Sequence, residues 1–418
     1  MAAQKVEAMK TALLFIALLG TTTLAFGQTL DAHLQQAVVL NPGLQARYAE
    51  FEAALTRSAQ VRGLPDPSLS IGYFISPVET RVGPQRVRFS LTQMFPWFGT
   101  LGAQARAADL QAEARYEVFL EARNEVFFKV RAAYYPLHEL ERTIVLEQAD
   151  LAILQSHREL ALARFEGGKG RMVDVLRTDL MINEERTDIE VLKERRKPLQ
   201  VAFSNAVGYA DLVQVDISDS LTLVDLVATY SADSLLLSPR LAELDRRANA
   251  AMAQADAARK QGLPRFGLGL DHVVVDPRTD MDPVGNGRDA IMPMLSVSLP
   301  IYRGKYKGAV EEAQAMERVF QDMRVQVEND LNSAYESAWF DAYKAARTVQ
   351  LLDTQITVAG QILDLLLSAY ANSGSEFEEV LRMQQQVLRY RLMRLAAMRE
   401  HHTAVAKLDH ITAKQLNN

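Results

Sequence analysis

Two alternating patterns run along this chain, one with the period of a helix and one with the period of a strand. Between Ala103 and Phe165 the residues Leu110, Tyr116, Phe119, Val126, Phe127, Val130, Leu137 and Leu140 recur largely at spacings of three, four and seven, with no glycine in the run. That is a helical period. A helix of roughly 60 to 65 residues at ~1.5 Å per residue is roughly 100 Å long. Pro136 is expected to bend or locally unwind it. Shorter helices are predicted on either side, over Asp31 to Arg62 and Met172 to Ala206. Pro239 to Gln261, Lys305 to Tyr370 and Glu376 to Thr412 repeat the short, long, short order. In each copy the short helices together come close to the length of the long one, so two short helices stacked end to end can lie beside it.

Strand-like alternation lies between these helices. Val87, Phe89 and Leu91 alternate with Arg86, Arg88, Ser90 and Thr92, and Leu69, Ile71 and Tyr73 alternate with Ser68, Ser70 and Gly72. Farther along, Phe266, Leu268 and Leu270 alternate with Gly267, Gly269 and Asp271, and Leu295, Val297 and Leu299 with Ser296 and Ser298. Strict alternation suits a sheet with one face in lipid and one in water. Strands are predicted at about residues 67–75, 85–96, 264–275 and 290–301, about the length that a tilted strand needs to cross a bilayer. Four strands cannot close a barrel, and open edges cannot face lipid, so further copies of the chain must complete the wall.

The chain also repeats itself. Asn41-Pro42-Gly43-Leu44 is echoed by Ser238-Pro239-Arg240-Leu241, and Gly63-Leu64-Pro65 by Gly262-Leu263-Pro264. The corner Phe95-Pro96-Trp97-Phe98-Gly99 answers Leu299-Pro300-Ile301-Tyr302-Arg303-Gly304. Phe165 with Val173 to Arg177 answers Tyr370 with Glu378 to Arg382. The offset drifts only from 197 (Asn41 to Ser238) to 205 (Phe165 to Tyr370). An ordered set of landmarks at a nearly constant offset indicates duplication. The predicted organisation is a leader over residues 1–27, a first repeat over 28–208, a connector over 209–237 and a second repeat over 238–418.

Composition narrows the partners. The 46 basic and 52 acidic residues are spread along the chain and leave a net charge of −6, so no basic stripe suits nucleic acid. There is no cysteine, which removes disulfides, thiol catalysis and the lipidated cysteine of lipoproteins. Met9-Lys10, the apolar run Thr11 to Gly20 and the small residues before Gln28 form a signal-peptide pattern with cleavage expected after Gly27. After that run no segment is long and apolar enough to cross a bilayer as a helix. The alternating strands are therefore the only membrane-spanning candidates.

Chemistry is sparse. The seven histidines form no His-Glu-x-x-His pair, and His401-His402 is explained as a cation near the C-terminal end of a helix. No glycine-rich phosphate loop precedes a helix. Neither a cofactor nor a catalytic set is expected. Met281, Met292 and Met294 crowd the second hairpin, and thioethers are soft ligands for monovalent copper or silver.

These landmarks in this order resemble the TolC-like outer-membrane efflux protein family, over essentially all of the chain after the leader. The resemblance rests on Asn41-Pro42, Gly63-Leu64-Pro65-Asp66-Pro67, the two Pro-aromatic and Pro-Ile corners, and Gly168 to Leu176. It implies a mostly helical fold with a small β part, arranged as a homotrimer with an α-barrel in the periplasm and a shared 12-stranded transmembrane β-barrel in outer-membrane lipid. It also implies an adaptor protein and an inner-membrane pump of the RND type as partners. The turns at Glu166 to Arg171 and Ala371 to Ser375 then form the periplasmic entrance, with Gly168, Arg171, Asp174, Tyr370, Ser375, Glu379 and Arg382 at the gate. Ser375 stands where the family often has Arg, and Arg382 where it is often acidic. Arg86, Arg88, Ser90, Thr92, Ser296 and Ser298 line the barrel lumen in this reading. The Ile291-Met292-Pro293-Met294 stretch resembles the heavy-metal efflux branch. A drug-efflux or type I secretion channel is the alternative within the family, and a soluble periplasmic coiled-coil adaptor is the alternative outside it.

Overall fold

The computed structural model describes residues 29–414 except 216, 218, 219, 374 and 375. The expected leader and the candidate Ser375 lie outside the described residues. Helices dominate: α1 (Leu30–Leu40), α2 (Pro42–Arg62), α3 (Thr100–Glu166), α4 (Met172–Val207), the short α5 (Leu226–Thr229), α6 (Pro239–Gln261), α7 (Gly304–Ser373) and α8 (Phe377–Ile411). No helix among the described residues is long and apolar enough to cross a membrane. In the first repeat the flanking helices have 11, 21 and 36 residues and together match the 67 of α3. In the second, flanking helices of 23 and 35 residues fall short of the 70 of α7.

The chain forms two compact units whose boundaries fall inside α2, α3 and α7 and at the start of α6. The unit of residues 48–118 and 240–326 holds the sheet. Strands β1 (Ser68–Thr80), β2 (Gly83–Phe95), β3 (Arg265–Val275) and β4 (Ala290–Ser298) pair in the order β1-β2-β3-β4, antiparallel throughout. The first strand runs past its expected end at residue 75. A register shift between Tyr73 and Val78 leaves Pro77 outside the ladder, which is where a strand tolerates a residue with no N–H. The hairpin then turns at Gly83, where a φ of +128° and a Cβ that would fall 1.8 Å from the Asp276 carbonyl oxygen exclude any side chain. The fourth strand stops at Ser298 rather than 301, so Leu299, Pro300 and Ile301 belong to the corner before α7.

The other unit, from the N-terminal side to Arg47 with residues 119–239 and 327–418, is a helical bundle in which α1 packs on α4 and α4 on α8. The helix expected over Asp31 to Arg62 is broken at Asn41. Its side chain accepts from the Leu44 N–H at 3.1 Å, capping α2, and donates to the Ala206 carbonyl at 3.0 Å, tying that cap to α4. Pro42 follows at the first helical position, where its missing N–H costs nothing. Pro136 does not interrupt α3, which runs through it from Thr100 to Glu166. The bundle buries Tyr134, Phe203, Leu34 and Leu137 almost completely. It also buries Glu147 and Asp150 of α3 and Glu185 of α4. Loss of water, followed by the hydrogen bond and charge of Glu147, lifts the Glu185 carboxyl to about 9, so it keeps a proton at neutral pH and can share it with Glu147.

Candidate functional site

Two places collect the residues singled out from the sequence. The first is the sheet. The cross-strand register puts Ser68, Ser70 and Gly72, then Arg88, Ser90 and Thr92, then Gly267, Gly269 and Asp271, then Met292, Met294 and Ser296 on one face. The opposite face carries Leu69, Ile71 and Tyr73, Phe89 and Leu91, Phe266, Leu268 and Leu270, and Ile291, Leu295 and Val297. On the polar face Arg88 forms an ion pair with Asp271, whose side chain is fully buried. Arg86, beside a register shift in β2, pairs with Asp276 at 2.5 Å. Ser298 lies opposite Arg265 at the strand end. The apolar face is bare: Leu69, Ile71 and Tyr73 are 62 to 67% exposed and Leu295 is 71% exposed. A soluble protein rarely leaves an apolar surface of this extent uncovered. Trp97 and Phe98 follow β2 and Tyr302 follows β4, with Phe98 and Tyr302 largely exposed, as suits a membrane-interface girdle. Beside the sheet lies a cavity of about 810 Å³ with a mixed lining that includes Arg57, Gln104, Lys260, Leu64, Trp97 and Leu101.

The second place is the turn between α3 and α4. The Lys169 N–H reaches the Arg164 carbonyl at 2.8 Å and the Gly168 N–H reaches the Phe165 carbonyl at 3.0 Å. That bond pair is a Schellman cap, and it needs Gly168 at its φ of +68°. Arg171 then pairs at 3.2 Å with Asp174, which is buried in the first turn of α4 where a negative charge is favoured. Tyr370, near the end of α7, is 3% exposed and stacks on Phe377 with ring centres 4.7 Å apart. The Arg164 guanidinium lies 4.4 Å from the Tyr370 ring centre and donates to the Tyr370 and Ala371 carbonyls. One side chain of α3 thereby holds the ring and the carbonyl end of α7. Burial raises the pKa of the Tyr370 hydroxyl, opposed by the charge of Arg164, and that hydroxyl has no hydrogen-bond partner among the described residues.

The comparisons with known proteins meet this geometry. Residues 33–208 match the family model described as outer membrane efflux protein. The outer membrane efflux protein BepC of Brucella suis is 24% identical over 408 residues, covering 96% of this chain and 88% of the relative. A membrane protein from Pseudomonas aeruginosa has the same fold at a TM-score of 0.73 and 17% identity, with 92% of each chain covered. The Vibrio cholerae outer membrane protein VceC matches at a TM-score of 0.70 and 17% identity, covering 93% of this chain and 97% of that one.

Over its first repeat the chain is similar to the outer membrane efflux proteins.

Several residues of this chain fall differently from the sequence expectation. Glu379 is exposed, and the acidic contact across the bundle is made by its neighbour Glu378, which pairs at 2.5 Å with Arg177 of α4. Arg382 is exposed on the next turn of α8 and its charge helps hold the Glu378 carboxyl below its ordinary value, after the larger effect of Arg177. Arg164, Arg177 and Glu378 were not singled out from the sequence. The only advance signal for Arg164 was a basic residue in the last turn of a long helix. The methionine group also divides. Met281 sits, 55% exposed, in the loop between β3 and β4, whereas Met292 and Met294 lie on the polar face of the sheet. Met94 joins them from β2, with its sulfur 3.9 Å from Ser296 Oγ, over the space left by Gly267. No group of three or more His, Cys, Asp or Glu side chains that could hold a metal ion occurs among the described residues.

Proposed function

We propose that this chain is an outer membrane efflux protein, a passive channel subunit of a tripartite efflux system. Three copies supply twelve strands to one barrel, and a periplasmic adaptor and an inner-membrane pump of the RND type supply the drive. The observation that carries the reading is the bare four-stranded sheet: apolar on one face, charged and hydroxylated on the other, with β1 and β4 unpaired at its edges. Unpaired edges and an apolar face are tolerated in lipid only when neighbouring copies close the ring. In that ring the polar face, with Arg86, Arg88, Ser90, Thr92, Ser296 and Ser298, lines a water-filled lumen. At the other candidate site, Arg164, Tyr370, Arg171 and Asp174 with the Gly168 turn hold the entrance closed.

Export of monovalent copper or silver is a second reading, favoured by Met94, Met292 and Met294 on the lumen face. Arg88 opposes a resident cation there, because its guanidinium reaches the Met294 sulfur at 4.0 Å. Thioethers beside a fixed positive charge suit passage rather than tight binding. Disruption of the gene is expected to make cells sensitive to the exported class, with growth measured on graded copper, silver and amphipathic drugs. Sensitivity to the metals alone supports the copper and silver reading; sensitivity to the drugs alone overturns it and leaves the channel reading standing. Unchanged tolerance to every efflux substrate tried, in a strain without a second such channel, counts against the export role.

A further inference from the structure

The histidine pair His401-His402 does not play the part that its place near a helix end suggested. Both side chains lie inside α8 rather than at its terminus, and both are buried, His401 completely. Burial lowers the pKa of each, that of His402 to about 4, so both rings are neutral at neutral pH. The contacts of His401 also fix its tautomer. Nδ1 lies 3.0 Å from the Ala342 carbonyl of α7, which can only accept, so Nδ1 carries the proton. Nε2 lies 3.0 Å from the Val224 N–H, which can only donate, so Nε2 is bare.

These bonds fasten one stretch of the connector. Leu221 and Leu223 pack against Val349 and Leu352 of α7 and Ala397 and Met398 of α8. The stretch thus covers the seam between the two helices of the second repeat. Its far end is held by Tyr230, which donates to Asp409 at 2.6 Å. We propose that residues 221–230 form an acid-releasable strap across α7 and α8, with His401 as its proton-sensitive fastening. A proton on Nε2 sets two donors, Nε2–H and the Val224 N–H, against each other, and the strap must leave.

The groups facing this fastening do not oppose release. From α3 come Tyr135, whose ring centre is 5.3 Å from that of His402, and His138, whose positive form disfavours charge on His402. From α8 itself His401 disfavours charge on His402 in the same sense, and Asp409 is engaged by Arg131 and Tyr230. Among the described residues no carboxylate is hydrogen-bonded or ion-paired to either histidine. At His401 the Ala342 carbonyl favours an imidazolium, and burial outweighs it.

The sign of the effect follows. With folded pKa values below the ordinary 6.5, these histidines contribute stability that is present above 6.5 and lost as pH falls toward the folded values. The chain has no cysteine, so Val227→Cys, at a position 81% exposed on α5, carries a single nitroxide label on the detergent-solubilised full chain. As pH falls from 7.5 to 4.5, the label is expected to gain mobility in one step with a midpoint below 6.5, while circular dichroism shows unchanged helix content. His401→Gln, which keeps a donor and an acceptor but no titrating proton, removes the step, whether the label is then ordered or mobile throughout. Asp409→Asn keeps it. A label with no step, a step that survives His401→Gln or disappears in Asp409→Asn, or a step that coincides with loss of helix overturns the strap.

Discussion

Replacing Arg164 with alanine is expected to raise the open population of the channel about tenfold, read as open probability in planar bilayers and as entry of a large hydrophilic antibiotic into cells. The reason is the number of contacts that depend on one side chain. Its guanidinium covers the Tyr370 ring at 4.4 Å and donates to two carbonyls at the end of α7. A partly desolvated cation–π contact is worth roughly 1 to 2 kcal/mol, and ~1.4 kcal/mol is tenfold in an equilibrium. Lysine at this position keeps the charge but loses the planar stack and the forked donation, so Arg164→Lys is expected to open the channel nearly as far. Arg177→Ala makes the informative contrast. Its pair with Glu378 is solvent-exposed on both sides, and exposed pairs contribute little. An Arg164→Ala channel with wild-type open probability, or an Arg177→Ala channel that opens more widely, would show that the latch lies elsewhere.

A charge on the bare face of the sheet is expected to do more damage. Leu295 lies in the middle of β4 and is 71% exposed; in the assembled barrel it faces lipid. Arginine at the bilayer midplane costs about 2 to 4 kcal/mol, incurred once in each copy of a trimer. Leu295→Arg should therefore abolish the heat-resistant oligomer on gels and empty the outer-membrane fraction. The same change at Ser296, one residue on and on the opposite face, should leave the oligomer intact and alter conductance instead. Equal effects at both positions would remove the assignment of the two faces.

These assignments differ in how far the sequence alone could carry them. The two faces were legible because a strand has a period of two, so Leu295 and Ser296 announce opposite surroundings from their order alone. Helix lengths were legible from the three, four and seven spacing. The helix start at Asn41-Pro42 was legible as a capping residue before a proline, whereas the bond from Asn41 to Ala206, 165 residues away, was not. The latch was half legible. Tyr370 was found by its place in the repeat, but Arg164 stands 206 residues away on a different helix, and no local pattern links them. Glu379 was chosen where Glu378 makes the contact, because a helix turns about 100° per residue and the repeat alignment was not accurate to that step. For the histidines, position along α8 suggested a favourable cation, while burial between three elements dictated a neutral ring. Met94 was missed because its company with Met292 and Met294 is created by the pairing of β2 with β3.

The account rests on several copies of this chain completing one barrel. The most direct test is the mass and conductance of the detergent-extracted mature protein. The account predicts a trimer that forms ion-conducting pores when added to a planar bilayer. A monomer that is soluble without detergent and leaves the bilayer silent would contradict it.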